Sequence, residues 1–171
     1  MLIGEKQTFA IECYHDPLPN ESGHVFGRMC VWLGSKSLGD ITEPSCMLSA
    51  TERCLAELLE RLDSLDDPMM RGLSDRDSYN LLNRLLYEDD VRSDEQVSLD
   101  ADRFAKFDFL TNGGESFDHS KSFIAISGDQ LLIVFDDENT GFGSGKVSRS
   151  AFRLVVKGFL GWVVNESANT R

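Results

Sequence analysis

The sequence is short of positive charge. Its 17 lysines and arginines stand against 29 aspartates and glutamates, which gives a formal charge of −12 over 171 residues. Nucleic-acid binding depends on basic side chains that displace counterions from phosphates, and anionic membranes also attract bases. The composition therefore argues against a nucleic-acid or membrane partner. An acidic surface favours solubility and, where the charge is concentrated, the capture of a basic protein.

Long apolar segments are also missing. No window approaches the ~18 apolar residues that a membrane span needs, and residues 1–6 (MLIGEK) contain no basic stretch followed by an apolar core. We therefore expect no signal peptide and a cytoplasmic protein. The four cysteines have no C-x-x-C spacing and lie in apolar or amphipathic segments. We expect them to be reduced thiols that pack as small hydrophobic side chains.

The clearest strand signal is a hairpin over residues 24–41. Every second residue from Val25 to Leu33 is apolar or glycine, which is typical of a strand with one well-buried face. Residues 34–37 supply turn chemistry, and residues 38–41 can return as a shorter strand. The segment Thr8–Tyr14 also alternates and predicts a first strand. We expect the hairpin to lie at the centre of a sheet.

Helical patterns follow the hairpin. A capping box, Ser49 to Glu52, precedes a leucine stripe that predicts a helix over about residues 50–65. A second helix is predicted to begin at Ser74 and to end near residue 88. The run from Phe152 to Val163 is ambiguous: its glycines and valines fit a strand, but its length and unbroken apolar stripe favour a helix.

The remaining segments predict further strands and loops. Ser122–Ser127 and Gln130–Phe135 are almost continuously apolar, as in the covered centre of a sheet. Residues 103–109 predict a short strand, residues 91–102 a loop and residues 136–145 a flexible loop. We therefore expect one domain, residues 1–171, of the α+β class. It would contain a single antiparallel or mixed sheet of about five to seven strands, two helices after the N-terminal hairpin and a C-terminal helix.

Catalytic and ligand-binding motifs are weak. The segment Gly141–Lys146 invites comparison with a phosphate-binding loop, but Thr140 stands where that motif needs glycine. Val147 likewise stands where a serine or threonine would bind magnesium. We predict no catalytic residue and no cofactor-binding residue.

The three histidines do not form a recognised metal motif either. His15, His24 and His119 lack zinc-binding spacing, so no metal site is predicted. Asp118, His119 and Ser120 contain the residue types of a catalytic triad. Adjacent residues do not form a triad without supporting geometry, and local turn chemistry is the better interpretation.

Acidic clusters are the remaining feature. Such clusters most often mark solvated loops or helix ends, but acids at a helix C-terminus oppose the helix dipole and so hint at a use elsewhere. Our hypothesis is that some of them bind a cationic partner. The candidate binding residues are Asp66, Asp67, Glu88, Asp89, Asp90, Asp136, Asp137 and Glu138.

Short segments along nearly the whole chain carry a family resemblance. They are Met1–Glu12, Val31–Gly34 with Leu38–Asp40, Asn112–Asp118, Gln130–Val134 and the Phe152–Trp162 run. Together they resemble the bacterial immunity proteins encoded beside polymorphic or contact-dependent growth-inhibition toxins. The matched motifs are structural, so the resemblance assigns no binding residues.

The resemblance implies an inhibitor with no reaction of its own. It would bind a cognate toxin domain, commonly a nuclease, and cover its active or substrate-binding site; the acidic composition fits a basic nuclease. Two alternatives stay open at this point. One is a small hydrolase or nucleotide-binding enzyme of α+β fold, and the other is an adaptor that binds a protein other than a toxin.

Overall fold

Within residues 1–16, 24–88 and 91–169, which the computed structural model describes, eight strands form two antiparallel sheets and four α-helices pack on them. The strands are β1 (Leu2–Glu5), β2 (Phe9–His15), β3 (Phe26–Leu33), β4 (Lys36–Leu38), β5 (Cys46–Met47), β6 (Ser120–Ser127), β7 (Gln130–Asp137) and β8 (Gly141–Ser148). The helices are α1 (Leu48–Arg61), α2 (Asp75–Tyr87), α3 (Asp94–Phe104) and α4 (Arg149–Asn169).

The first sheet has the order β1-β2-β3-β4, and β5 also pairs with β3. Strand β3 is central because β2 pairs along one of its edges, while β4 and β5 pair with opposite ends of the other. The alternate residues from Val25 to Leu33 are all buried, as the pattern predicts. The predicted central hairpin is confirmed, but its return strand was placed too late: it was predicted at residues 38–41, whereas β4 is Lys36–Leu38 because the turn takes only residues 34 and 35.

The second sheet is β6-β7-β8. Strands β6 and β7 pair over their full length, from Ser127–Gln130 at the hairpin turn to Ser120–Asp137 at the other end. The two sheets meet where β4 approaches the turn between β7 and β8: Lys36 Nζ donates to the Thr140 carbonyl at 2.8 Å, and Thr140 Oγ1 donates to the Ser37 carbonyl at 2.9 Å.

The helices pack over the sheets and complete the hydrophobic core. Helices α1 and α4 pack against each other and against the first sheet, α2 lies on the second sheet, and α3 packs on α2. Eight of the eleven phenylalanines are less than 2% exposed, so aromatic side chains supply a large share of the buried apolar surface beside the aliphatic ones. None of the described helices combines the length and apolarity of a membrane span.

The predicted α+β class is confirmed, as are the two helices after the hairpin and the C-terminal helix. The ambiguous Phe152–Val163 run lies within α4. The strands divide into two sheets instead of one, because β7 pairs with β6 and with β8 and none of these three pairs with a strand of the first sheet.

Three local predictions are wrong. Residues 91–102 were predicted to be a loop but contain most of α3, whose only buried side chain is Phe104, so it lacks the apolar stripe that predicts a helix. The predicted strand at residues 103–109 is the end of α3 and a 3-10 helix, Ala105–Phe107. The predicted flexible loop at 136–145 is instead the end of β7, a turn and the first five residues of β8.

Of the two predicted helix N-caps, one is confirmed and one is wrong. Ser74 caps α2, since its hydroxyl accepts a hydrogen bond from the Asp77 amide at 3.1 Å. The capping box at Ser49 is wrong: α1 begins at Leu48, with Met47 in the cap position. The Ser49 hydroxyl accepts from the Val25 amide at 2.9 Å and so ties the helix to the central hairpin.

Candidate protein-binding surface

Asp67 stabilises the fold from a buried position. Only 5% of the residue is exposed, and its carboxylate accepts hydrogen bonds from Arg103 Nε at 2.8 Å and Nη2 at 2.7 Å. It also accepts from the Met69 amide at 2.9 Å and caps the 3-10 helix that begins at Pro68. The Arg103 guanidinium lowers the pKa of Asp67 below its usual range. This carboxylate is not open to a partner, contrary to the surface position that the sequence predicts for it.

Asp137 is likewise internal. The residue is 4% exposed, and its carboxylate accepts from the amides of Asn139 at 2.9 Å and Thr140 at 3.0 Å, which shapes the β7–β8 turn. It also accepts from the Gly39 amide at 3.3 Å. Because that contact joins the end of β4 to the second sheet, Asp137 holds the two sheets together instead of facing a partner.

Asp66, in contrast, is exposed. Its carboxylate accepts from Arg71 Nη2 at 2.7 Å, and the arginine lowers the pKa of Asp66. Its neighbour Leu65 accepts a hydrogen bond from the Ile126 amide at 2.7 Å, which places Asp66 near the β6–β7 hairpin turn.

The other exposed candidates lie at the opposite end of β6 and β7. Asp136 pairs with Lys121 in the strand register and accepts from Arg76 Nη1 at 3.2 Å. Glu138, with 78% of its side chain exposed, lies 3.6 Å from His119 Nδ1. Strand geometry puts this end about 15–20 Å from Asp66. The predicted acids therefore form two separate groups.

Glu88 lies beside the second group. Its carboxylate accepts from Asn83 Nδ2 at 2.8 Å, and Asn83 faces the same depression as Asp136 and Glu138. Asp89 and Asp90, the other predicted residues of this cluster, lie outside the described residues.

We call that depression the acidic pocket. It has a volume of about 290 Å³ and is lined by Tyr79, Asn83, Asp118, His119, Ser120, Lys121, Asp136 and Glu138. Three carboxylates and one lysine give it a negative balance. The sequence did not predict Asp118, Asn83 or Tyr79 for this surface. A tyrosine within the leucine stripe of α2 was the available signal for Tyr79, since the phenolic oxygen of a buried tyrosine needs a polar outlet.

A larger pocket of about 760 Å³ lies near the β6–β7 turn. Two of its three acids are bound to bases: Asp66 to Arg71 at 2.7 Å, and Asp63 to Arg149 and to Arg153, each at 3.3 Å. No histidine or cysteine lines it among the described residues.

The cysteines and His15 make their contacts within the fold. All four cysteines are free thiols; Cys54 is half-buried and the other three are buried, as predicted. Burial raises the pKa of Cys13 and of Cys30 to about 12, which makes them poor nucleophiles. His15 Nδ1 lies 2.9 Å from Glu166 Oε2 and connects β2 to α4. In the described part of the chain no three metal-ligating side chains are grouped around a common point.

Comparisons with known proteins match the chain to a protein family and to a solved structure. The family model described as Immunity protein 42 matches residues 1–162. The crystal structure of CdiI from Burkholderia dolosa AUO158 is similar with a TM-score of 0.68 and 17% sequence identity, over 95% of this chain and 99% of that chain. No curated protein sequence matches. At that identity the structural match establishes a shared fold.

Proposed function

This chain belongs to the Immunity protein 42 family, and we propose that it binds a cognate toxin domain that is a basic nuclease and covers its active or substrate-binding site. Membership of an immunity-protein family makes the chain a toxin inhibitor and not an enzyme. The fold shared with CdiI from Burkholderia dolosa is consistent with that membership.

The observation that carries the nuclease part of the proposal is the formal charge of −12. A nuclease binds phosphates through basic side chains, so its substrate-binding surface is positive. Carboxylates on an inhibitor can occupy the same positions as phosphates, and opposite charges accelerate the encounter of the two proteins. An inhibitor of a basic enzyme therefore benefits from an acidic surface.

We place the contact surface at the acidic pocket and its surroundings. Asp136, Glu138 and Glu88 are exposed or half-buried there, and Asp89 and Asp90 follow Glu88 directly in the sequence. Asp66 belongs to the separate group near the β6–β7 turn and would contribute through long-range attraction. Asp67 and Asp137 are left out of the proposed surface because their carboxylates are used within the fold.

A cleavage assay tests this proposal. The toxin domain encoded beside the gene for this chain is purified and incubated with DNA and with RNA, alone and with increasing amounts of the chain. We expect the domain to cleave one of the two nucleic acids and expect one equivalent of the chain to stop cleavage.

The two parts of the proposal fail separately. A toxin domain that cleaves nucleic acid equally well with an excess of the chain would contradict active-site cover. A domain that binds the chain but cleaves neither substrate would contradict the nuclease assignment alone.

A further inference from the structure

The hydroxyl group of Tyr79 has no hydrogen-bond partner among the described residues. The residue is only 8% exposed, and its ring packs on Phe123 and Phe142 with centroid distances of 5.5 and 5.9 Å. Its side chain lines the acidic pocket. The hydroxyl oxygen is not among the described polar atoms that are buried without a partner, so it is accessible from the pocket. A ligand that enters the pocket can therefore form a hydrogen bond with it.

Acceptors outnumber donors among the side chains that line the pocket. The carboxylates of Asp118, Asp136 and Glu138 line the same pocket. The side-chain carbonyl oxygen of Asn83 is buried without a donor, and its amide nitrogen donates to Glu88. A ligand of the pocket should therefore supply donors, and a positive charge would suit the carboxylates.

The cations already present are in use elsewhere. Arg76 is bound to Asp136 and lies over the ring of Phe142 at 3.6 Å. Lys121 Nζ lies over the ring of Tyr87 at 5.1 Å. Neither donates a hydrogen bond to the Tyr79 hydroxyl, so this oxygen is available to a donor from a different molecule.

We propose that the acidic pocket receives one arginine side chain of the toxin domain, and that the Tyr79 hydroxyl accepts a hydrogen bond from its guanidinium group. This inference rests on the proposed function, since it names a contact with the same toxin. A guanidinium carries five donors in a plane, which suits several acceptors better than the compact ammonium of lysine. A volume of about 290 Å³ lies at the small end of ligand pockets, which suits a side chain better than a nucleotide.

The pocket has a floor, where Tyr79 lies, and a rim, where Glu138 lies, and the two should affect binding in different ways. Tyr79 is enclosed by aromatic rings, where a hydrogen bond to a charged donor is shielded from water. Glu138 is exposed at the rim, where a carboxylate acts mainly by attracting the partner. Loss of the floor contact should therefore accelerate dissociation, and loss of the rim charge should slow association.

The test is the substitution Tyr79→Phe in the full chain, with the kinetics of binding to the toxin domain measured by surface plasmon resonance. We expect the Kd to rise at least tenfold, mainly through faster dissociation, while the free energy of unfolding stays unchanged. Tyr14→Phe is the matched control. Its hydroxyl donates to Glu12 Oε1 at 2.8 Å on the first sheet, so its loss should leave the Kd unchanged.

The partner arginine can be located by a double-mutant cycle. Each surface arginine of the toxin domain is replaced by lysine and measured against the wild-type chain and against Tyr79→Phe. We expect one replacement to weaken binding to the wild type about as much as Tyr79→Phe does, and to weaken binding to Tyr79→Phe far less.

The outcomes distinguish a failure of the pocket assignment from a failure of the proposed function. If the wild-type chain binds the toxin domain and Tyr79→Phe binds equally well, the pocket assignment is overturned while the proposed function stands. Equal losses in Tyr79→Phe and Tyr14→Phe also overturn it, because the effect is then not specific to the pocket. If the wild-type chain does not bind, the proposed function falls and the pocket assignment with it.

Discussion

Asp66 and Asp67 are adjacent in the chain, but their carboxylates have different roles. Asp66 is exposed and bound to one exposed arginine, whereas Asp67 is buried and accepts three hydrogen bonds. Exposed ion pairs contribute little to stability because water screens them, whereas a buried group that loses its partners is costly to the fold. Charge in the sequence therefore does not separate binding residues from structural ones.

The substitution Asp67→Ala should lower the free energy of unfolding by about 2 kcal/mol, because it removes two charge-assisted hydrogen bonds and a helix cap. Asp66→Ala, the matched control, should cost much less. Urea denaturation at neutral pH measures both. Equal costs for the two substitutions would contradict the roles assigned here.

The contribution of Asp67 should also depend on pH. Arg103 lowers the pKa of Asp67 in the folded chain, so the unfolded chain binds a proton at this site more readily. The stabilisation is therefore present above the ordinary aspartate value of about 3.9 and is lost as the pH falls through the lower folded value. The stability difference between the wild type and Asp67→Ala should shrink below about pH 4. A difference that is constant down to strongly acidic pH would contradict this origin.

At the scale of elements, a glycine in β8 stabilises the fold, whereas a glycine in α4 costs stability. A Cβ atom at Gly143 would lie 2.2 Å from Cζ of the fully buried Phe135, so the strand needs glycine where this ring crosses it. A Cβ at Gly161 would meet nothing within 4 Å, and glycine within a helix costs stability relative to alanine.

Two alanine substitutions should therefore have opposite signs. Gly143→Ala should destabilise the chain by about 2 kcal/mol through overpacking. Gly161→Ala should stabilise it by about 0.5–1 kcal/mol through helix propensity. Thermal and urea denaturation of both variants measures the difference. Destabilisation by Gly161→Ala would show that this helix face has a contact that the fold described here lacks.

The same elements show what the sequence could predict. The central hairpin, α1, α2 and α4 have strong periodic patterns because one face of each is buried, and they were predicted correctly in kind. Strand β8 was missed because its glycines are explained by Phe135 and Leu33, which are distant in sequence. Helix α3 was missed because it is almost wholly exposed. The acidic pocket combines side chains from α2, from the start of β6 and from the end of β7, a juxtaposition that spacing along the chain does not reveal.

At the scale of the whole molecule, the fold keeps its two sheets joined and leaves an acidic surface at one end of the second. Asp137 and Thr140 hold that end to β4, so the neighbouring Asp136 and Glu138 are positioned by hydrogen bonds and not by a free loop. A preformed surface loses little conformational entropy on binding, which favours tight inhibition of a partner.

The central claim is that this chain neutralises a toxin, and growth of a sensitive bacterial strain tests it most directly. The strain expresses the toxin domain encoded beside the gene, either alone or together with this chain. We predict that growth stops when the toxin is expressed alone and is restored when the wild-type chain is expressed with it. We also predict that the two proteins then co-purify. Growth arrest that persists despite abundant folded chain would contradict the account.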